Sequence, residues 1–354
     1  LEEIGKSTFK GCSKLVSLEI GKGLKKFDES ALEGCTSLEE IVIGGDLEKI
    51  SKDLLKDCEN LTSIEVKGKV ELIEESVFEE NKKLKSVKLG SVDEIGKNAF
   101  KKCVALETFE IAKDLKKMGE SAFESCESLK SVKLLGNVDE IGKNAFKKCK
   151  KLETFEFAKN KNVKKIGESA FEDCTSLKAI FIPGTVEVIE KKTFKGCTSL
   201  KDLVIETGVK EISESAFEGC TSLEEITIPG SVKKVGENAF KDCTKLKTVK
   251  LEEGVESIGK SAFEGCGDLK MVTIPASVKE VGENVFDGSS LEELSIPSSM
   301  KVIPKSAFRG NESLTKIKID DGVEEIGDSA FARCIALEEI EFPKTLKKIG
   351  KVSS

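Results

Sequence analysis

Apolar and polar positions follow a fixed order that recurs about every 23 residues along the whole chain. One copy, ISESAFEGCTSLEEITIP, runs from Ile212 to Pro229. Steps between copies are 23 residues, except for two of 22 and one of 25. Each copy has one large apolar residue, here termed the ladder position, and these residues are Phe9, Leu32, Leu55, Phe78, Phe100, Phe123, Phe146, Phe171, Phe194, Phe217, Phe240, Phe263, Phe286, Phe308 and Phe331. Self-similarity at this period predicts a solenoid of about fifteen stacked coils and not a globular enzyme fold.

Each copy contains two segments with the pattern of short strands. A Leu lies six residues after most ladder positions and begins the motif Leu-x-x-Ile-x-Ile. The alternation Ile226, Thr227, Ile228 is typical of a strand with one buried face. A turn, often marked by proline, separates this first strand from a weaker second strand with the pattern Val-x-x-Ile, as at Val186 and Ile189. Stacked copies would therefore form parallel sheets, with each buried position repeated as a column of like residues.

The segment Ser-Ala-Phe or Asn-Ala-Phe, which ends at the ladder position, has the chemistry of a helix start. Ser and Asn are favoured N-caps, and the spacing leaves room for a single turn of α- or 3₁₀-helix. We therefore expect an α/β fold in which short helical or 3₁₀ turns follow the second strand of each repeat.

The complete pattern, Leu-x-x-Ile-x-Ile-Pro-x-x-Val-x-x-Ile-Gly-x-x-Ala-Phe-x-x-Cys, resembles the BspA-like class of leucine-rich repeats over essentially the whole chain. The resemblance implies a right-handed leucine-rich repeat solenoid with a concave parallel sheet, forming a single domain over residues 1–354. It also implies a bacterial or protist surface protein used in adhesion to host matrix proteins or to other cells. Function varies within this class and depends on variable surface positions, so the resemblance predicts the fold far better than the activity.

The composition argues against catalysis within the chain. The sequence has no His and no Tyr, which removes the usual general base near neutral pH and a common proton donor. Glycine-rich phosphate loops are also missing from the sequence, because the recurring Ile-Gly-Lys and Ile-Gly-Glu segments contain one glycine each. We predict no enzyme activity, no catalytic residues and no cofactor.

All twelve cysteines occupy one slot, three residues after a ladder position. Parallel stacking would point neighbouring cysteines in the same direction, which disfavours disulfide bonds. The sequence has no Cys-x-x-Cys pair and no His, so it lacks the ligand pattern of a zinc site. We interpret the cysteines as buried free thiols that act as small hydrophobes, and we predict no metal site.

Charge is abundant but balanced, with 57 basic and 64 acidic residues and a formal net charge of −7. On the predicted first strands its sign alternates between neighbouring repeats, at Lys85 and Lys88, Glu107 and Glu110, Lys130 and Lys133, and Glu153 and Glu156. Nucleic-acid binding would require a basic stripe with arginine and aromatic platforms, so we predict no nucleic-acid partner. The sequence has no run of about 18 apolar residues, so we predict no membrane insertion in this segment.

Outward strand positions lose their charge in the second half of the chain. These positions are the second and fourth residues after each Leu, and the candidate partner-binding residues among them are Ala179, Phe181, Val204, Thr227, Met271 and Thr273. Phe181 is the strongest candidate, because it is an outward aromatic residue beside Val204 and near the insertion around residues 159–162. The alternative is that Phe181 is a single exposed residue or is covered by that insertion.

Two hypotheses for function follow. The first is a non-catalytic, adhesin-like protein at the cell surface or outside the cell, which binds an extracellular-matrix or cell-surface protein through the concave sheet. The alternative is a cytoplasmic structural scaffold in an intracellular or filament-associated assembly, with an assembly subunit as its partner. Leu1 lies in mid-repeat and no polar cap is visible in the sequence, so we expect cap repeats or flanking domains in the parent protein.

Overall fold

The computed structural model describes residues 1–158 and 162–351. The chain is a β-solenoid of about fifteen turns whose strands all pair in parallel. It divides into two compact units, unit 1 (Leu1–Leu177) and unit 2 (Lys178–Ser354). The single domain expected over residues 1–354 stays a prediction.

Unit 1 contains a first strand after each Leu slot and a second strand before each ladder position. In chain order its strands are β1 (Glu3–Ile4), β2 (Ser17–Ile20), β3 (Lys26–Phe27), β4 (Glu40–Ile43), β5 (Leu47–Ile50), β6 (Ser63–Ile73), β7 (Ser86–Ile95), β8 (Thr108–Ile111), β9 (Leu115–Met118), β10 (Ser131–Leu134), β11 (Val138–Ile141), β12 (Thr154–Phe157) and β13 (Val163–Ile166). Strands β6 and β7 run through both positions, so first and second strands join in one 11-stranded sheet.

Unit 2 repeats this plan, with first strands at even numbers and second strands at odd numbers. Its strands are β14 (Ala179–Ile182), β15 (Val188–Ile189), β16 (Asp202–Ile205), β17 (Glu211–Ile212), β18 (Glu225–Ile228), β19 (Lys234–Val235), β20 (Thr248–Leu251), β21 (Ser257–Ile258), β22 (Met271–Thr273), β23 (Glu280–Val281), β24 (Glu293–Ile296), β25 (Val302–Ile303), β26 (Lys316–Ile319), β27 (Glu325–Ile326), β28 (Glu339–Glu341) and β29 (Lys348–Ile349). The second short strand expected in each repeat is present throughout unit 2.

The core of each unit consists of columns of equivalent apolar side chains. Ladder phenylalanines stack almost face to face, with ring centroids 4.8 Å apart for Phe100 and Phe123 in unit 1. The spacing is 5.1 Å for Phe217 and Phe240 in unit 2. Coils stacked at the spacing of neighbouring β-strands necessarily place equivalent rings at about this distance.

The expected α/β class is wrong, because the described residues contain strands and turns but no α- or 3₁₀-helix. The Ser and Asn residues that we interpreted as N-caps instead adopt the left-handed region, with φ of 56° at Asn98 and 55° at Ser121. The residue two positions after the ladder Phe is also left-handed in most coils, with φ of 56° at Lys102. Asn tolerates this conformation well, so the same residue type suits an N-cap and a left-handed turn.

The left-handed residues allow the turns to form a third hydrogen-bond ladder between coils. Asn98 N donates to Glu120 O at 3.0 Å, Phe100 N to Ala122 O at 2.7 Å and Lys102 N to Glu124 O at 2.8 Å. Every second N–H of the turn therefore bonds to the next coil, whereas a helical turn would direct these groups along its own axis. A single left-handed residue costs about 1–2 kcal/mol, and the inter-coil hydrogen bonds offset this cost.

The cysteines are free thiols, and most of them are buried. They act as hydrogen-bond donors as well as small apolar groups: Cys126 Sγ donates to Phe100 O, the ladder carbonyl of the preceding coil, at 3.0 Å. Burial raises the pKa of Cys103 and of Cys220 to about 12.

Asn311 replaces a cysteine beside a coil that is one residue short between its ladder position and its Leu slot. Leu291 follows Phe286 by five residues instead of six, so the loop lacks one residue. In a regular coil Leu269 N donates to Cys266 O at 3.0 Å, whereas Leu291 N donates to Asn311 Oδ1 at 3.1 Å. Asn311 Nδ2 also donates to Phe286 O at 2.9 Å, the contact that a thiol makes elsewhere. The amide supplies both an acceptor and a donor, whereas a thiol is only a weak acceptor, so this asparagine compensates for the missing loop residue.

We predict that Asn311→Cys destabilises the chain although it restores the most frequent residue. The thiol can donate to Phe286 O but leaves the buried Leu291 N without its acceptor, which costs about 1–3 kcal/mol. Guanidinium unfolding measures this loss. Adding one residue between Ser289 and Leu291 in the Asn311→Cys background is the matched control and should recover stability. Equal stability of Asn311→Cys and the parent chain would contradict the assignment.

We also predict that thiol alkylation of the native protein is strongly position-dependent. Cys12 is exposed and should react first. Cys103 and Cys220 should react only after unfolding, because both are buried and remain protonated at mildly alkaline pH. Peptide mass spectrometry after a timed exposure to iodoacetamide gives the order. Alkylation of Cys220 as fast as Cys12 would show that the thiol column is open to solvent.

Candidate functional site

The outward face of the first strands in unit 2 contains all six predicted partner-binding residues. Each strand directs alternate side chains to the core and to solvent, so Ile180 and Ile182 are buried whereas Ala179 and Phe181 are exposed. The same alternation exposes Val204, Thr227, Met271 and Thr273.

Phe181 and Val204 form an exposed apolar pair. Strands β14 and β16 pair in parallel with Phe181 opposite Val204. The two residues retain 47% and 53% of their maximal accessible surface. Residues 159–161 of the predicted neighbouring insertion lie outside the described residues.

Met271 and Thr273 lie on β22, apart from that pair. Met271 is 61% exposed and lies opposite Thr248, whereas Thr273 lies opposite Lys250. Lys250 also lies opposite Thr227 on the other side. The structure therefore pairs Phe181 with Val204, whereas β18 and β20, with the outward charges of Glu225 and Lys250, separate this pair from Met271. The face has two separate exposed apolar sites and no continuous apolar patch.

Basic side chains dominate the rim of this face. Glu224 lies between Lys201 and Lys247, with its carboxylate oxygens 3.5 Å from each ammonium group. The positive charges of Lys201 and then Lys247 lower the pKa of Glu224. Further along, Lys270 Nζ lies 3.6 Å from a carboxylate oxygen of Glu292.

The equivalent face of unit 1 differs over β8, β10 and β12, where one outward position of each strand is charged and opposite in sign to its neighbours. Lys133 on β10 lies opposite Glu110 on β8 and Glu156 on β12. Lys130 Nζ also approaches a carboxylate oxygen of Glu107 to 3.5 Å. The alternation predicted from the sequence thus becomes a cross-strand arrangement of opposite charges, and it leaves no apolar anchor on these strands.

Sequence reasoning missed four exposed apolar residues in unit 2, namely Val302, Ile335, Phe342 and Ile349. Val302 is 46% exposed at the first position of β25, where most second strands have a polar residue. The contrast between Val302 and the polar residues at the same position in most other coils was the signal that could have identified it. Phe342 occupies an apolar core slot in the sequence pattern but is 54% exposed in the last described coil.

The described residues contain no group of three or more Cys, Asp and Glu side chains placed to hold a metal ion. Within residues 1–158 and 162–351, no helix has the length and apolar character needed to cross a membrane.

Comparisons with known proteins agree with the solenoid. The family described as the BspA type leucine-rich repeat region matches in six overlapping segments, residues 1–105, 48–178, 93–203, 118–247, 164–291 and 235–353. No curated protein matches the chain.

Among solved structures, the chain is similar to a leucine-rich repeat protein from Bacteroides ovatus, with 27% identity, a TM-score of 0.61 and coverage of 100% of this chain and 88% of that chain. It is also similar to a leucine rich cell surface protein from Faecalibacterium prausnitzii, with 28% identity, a TM-score of 0.43 and coverage of 80% and 84%. The repeat pattern, the parallel coils and the family match together show that this chain belongs to the BspA-type leucine-rich repeat family.

Proposed function

We propose that this chain is a non-catalytic protein-interaction module whose partner docks on the outward face of β14 to β22. The observation that supports the proposal is the local replacement of outward charges by the apolar side chains of Phe181, Val204 and Met271. Solenoids present extended surfaces of this kind to protein partners. Large apolar or aromatic side chains that become buried on association supply most of the binding free energy of such interfaces.

The charges around these anchors favour a partner with carboxylate groups. Outward and rim positions from β14 to β22 include five lysines (178, 201, 247, 250 and 270) and three carboxylates (202, 224 and 225). The chain as a whole has a formal net charge of −7, so this face differs in sign from the molecule. Charge complementarity would orient the partner and increase its association rate, while the apolar anchors would supply affinity.

The proposed setting is the cell surface, with an extracellular-matrix or cell-surface protein as the partner and an adhesin-like role. This setting rests on the resemblance to BspA-like surface proteins. The competing role, a cytoplasmic scaffold, would make the same face a contact between assembly subunits.

We predict that Phe181→Glu lowers affinity for the partner at least about tenfold, a loss of about 1.4 kcal/mol. The substitution places a carboxylate where an apolar contact is buried in the complex. Surface plasmon resonance against a panel of extracellular-matrix and cell-surface proteins first identifies the binder and then compares variants. Binding by no member of the panel would contradict the adhesin-like role.

Val42→Glu is the matched control, because Val42 occupies the same outward slot on β4 of unit 1. Thermal unfolding of Phe181→Glu should match the parent chain, because the site is exposed, whereas Val42→Glu should unfold at a slightly lower temperature, because its carboxylate would lie opposite Glu19 and Glu65. Equal affinity of Phe181→Glu and Val42→Glu would remove this face from the interaction.

Location has its own test. An antibody raised against this chain should label intact source cells without permeabilisation. Labelling only after permeabilisation would contradict the surface setting and favour the scaffold.

A further inference from the structure

The two sheets of unit 2 break at the same junction, between the coil that contains β22 and β23 and the coil that contains β24 and β25. The second strands pair continuously from β15 to β23 and again from β25 to β29. The first strands pair in three groups, from β14 to β16, from β18 to β22 and from β24 to β28, and at the break between β16 and β18 the second strands stay paired. Among the described residues of unit 2, this is the single junction at which both ladders are interrupted, and we term it the seam.

Pro304 gives a direct cause on the second-strand side. At the preceding junction Gly282 N donates to Ile258 O at 2.8 Å, and at the following one Gly327 N donates to Ile303 O at 2.7 Å. Pro304 occupies the same slot and has no N–H, so it cannot make the equivalent bond to Val281 O. At the preceding junction the coils are packed so closely that a Cβ at Gly282 would overlap Lys260 N. A proline ring at this slot requires more room than glycine.

The shortened loop after Phe286 weakens the first-strand side of the seam. Residues 289–291 are the segment that lacks one residue, and the strand that follows, β24, does not pair with β22. In the described structure the buried Oγ atoms of Ser289 and Ser299 have no hydrogen-bond partner. Each buried unpaired hydroxyl is destabilising, so the closed seam is less favourable than a regular junction.

An open cleft marks the seam on the surface. It has a volume of about 770 Å³ and is lined by Lys279, Glu280, Val281, Ser299, Lys301 and Val302. These residues lie on or beside β23 and β25, which face each other across the missing ladder. The exposed Val302 therefore belongs to the wall of this cleft.

The turns hold the two coils together. Asn284 N donates to Lys305 O at 3.1 Å, Phe286 N to Ala307 O at 2.8 Å and Gly288 N to Arg309 O at 2.9 Å. Arg309 also forms an ion pair with the nearly buried carboxylate of Asp287, with 2.6 Å between nitrogen and oxygen. The turn side of the junction is thus bonded as in regular coils. The first-strand side keeps only the bonds from Ser290 N to Leu269 O at 3.0 Å and from Glu292 N to Lys270 O at 3.4 Å, and the β23 and β25 strands do not pair.

We propose that the seam is a hinge, at which the coils of unit 2 separate on their sheet sides and pivot on the intact turn ladder. Separation moves β22, with Met271 and Thr273, relative to β24. If the face from β14 to β22 is the interaction surface proposed above, the hinge controls the edge of that surface nearest the seam. The hinge itself does not depend on any partner.

Hydrogen exchange measured by mass spectrometry on the free, full chain tests the hinge. Exchange reports the free energy of local opening. Amides of β24 and β25 should exchange at least about tenfold faster than those of β20 and β21, matched strands that are paired on both sides. Equal exchange rates in these segments would overturn the proposal.

Pro304→Gly should slow exchange in β25, because it restores an N–H that can donate to Val281 O. Pro304→Ala restores the same donor without the extra backbone freedom of glycine, so it separates the effect of the restored hydrogen bond from the effect of added flexibility. Unchanged exchange in both variants would also overturn the proposal. Because no partner is present in these measurements, failure of the hinge is distinguishable from failure of the proposed interaction.

Discussion

The structure depends on one constraint: each coil must satisfy its backbone hydrogen bonds with the coils above and below it. Two strands per coil do this in the ordinary parallel manner. The turn does it through left-handed residues such as Asn98 and Lys102, which direct every second N–H towards the next coil. A helical turn would satisfy its own backbone but would contribute nothing between coils. Buried polar groups are rarely left unpaired, so the repeat favours a strained left-handed turn whose N–H groups pair with the next coil.

Much of the fold could be predicted from the sequence because the repeat period is fixed and side chains alternate along each strand. The ladder phenylalanines, the apolar strand positions and the buried thiols all follow from that pattern. The turn could not be assigned, because Ser and Asn favour both a helix N-cap and a left-handed residue, and the choice depends on neighbouring coils. The role of Asn311 was also hidden, since its partner Leu291 lies in the preceding coil.

The candidate site was predictable in part for the same reason. Alternation places Phe181 and Val204 on the outward face, and in-register stacking makes them neighbours. Their separation from Met271 depends on which residues each intervening strand carries, and Lys250 supplies the charge between them. Regular coils neutralise their charges against adjacent coils, and the proposed interaction surface lies where that alternation fails. The seam at Pro304 arises where the backbone ladder fails, and the two features meet at β22.

Amide hydrogen exchange at Asn98, Asn144 and Asn238, observed by NMR after selective ¹⁵N-asparagine labelling, tests the inter-coil turn ladder most directly. In the structure these amides donate to Glu120 O at 3.0 Å, Glu168 O at 2.9 Å and Lys260 O at 2.9 Å. The account predicts slow exchange at all three, comparable to amides in the strands. Fast exchange would match N-cap residues, whose N–H groups have no helical partner, and would contradict the ladder on which this account of the fold depends.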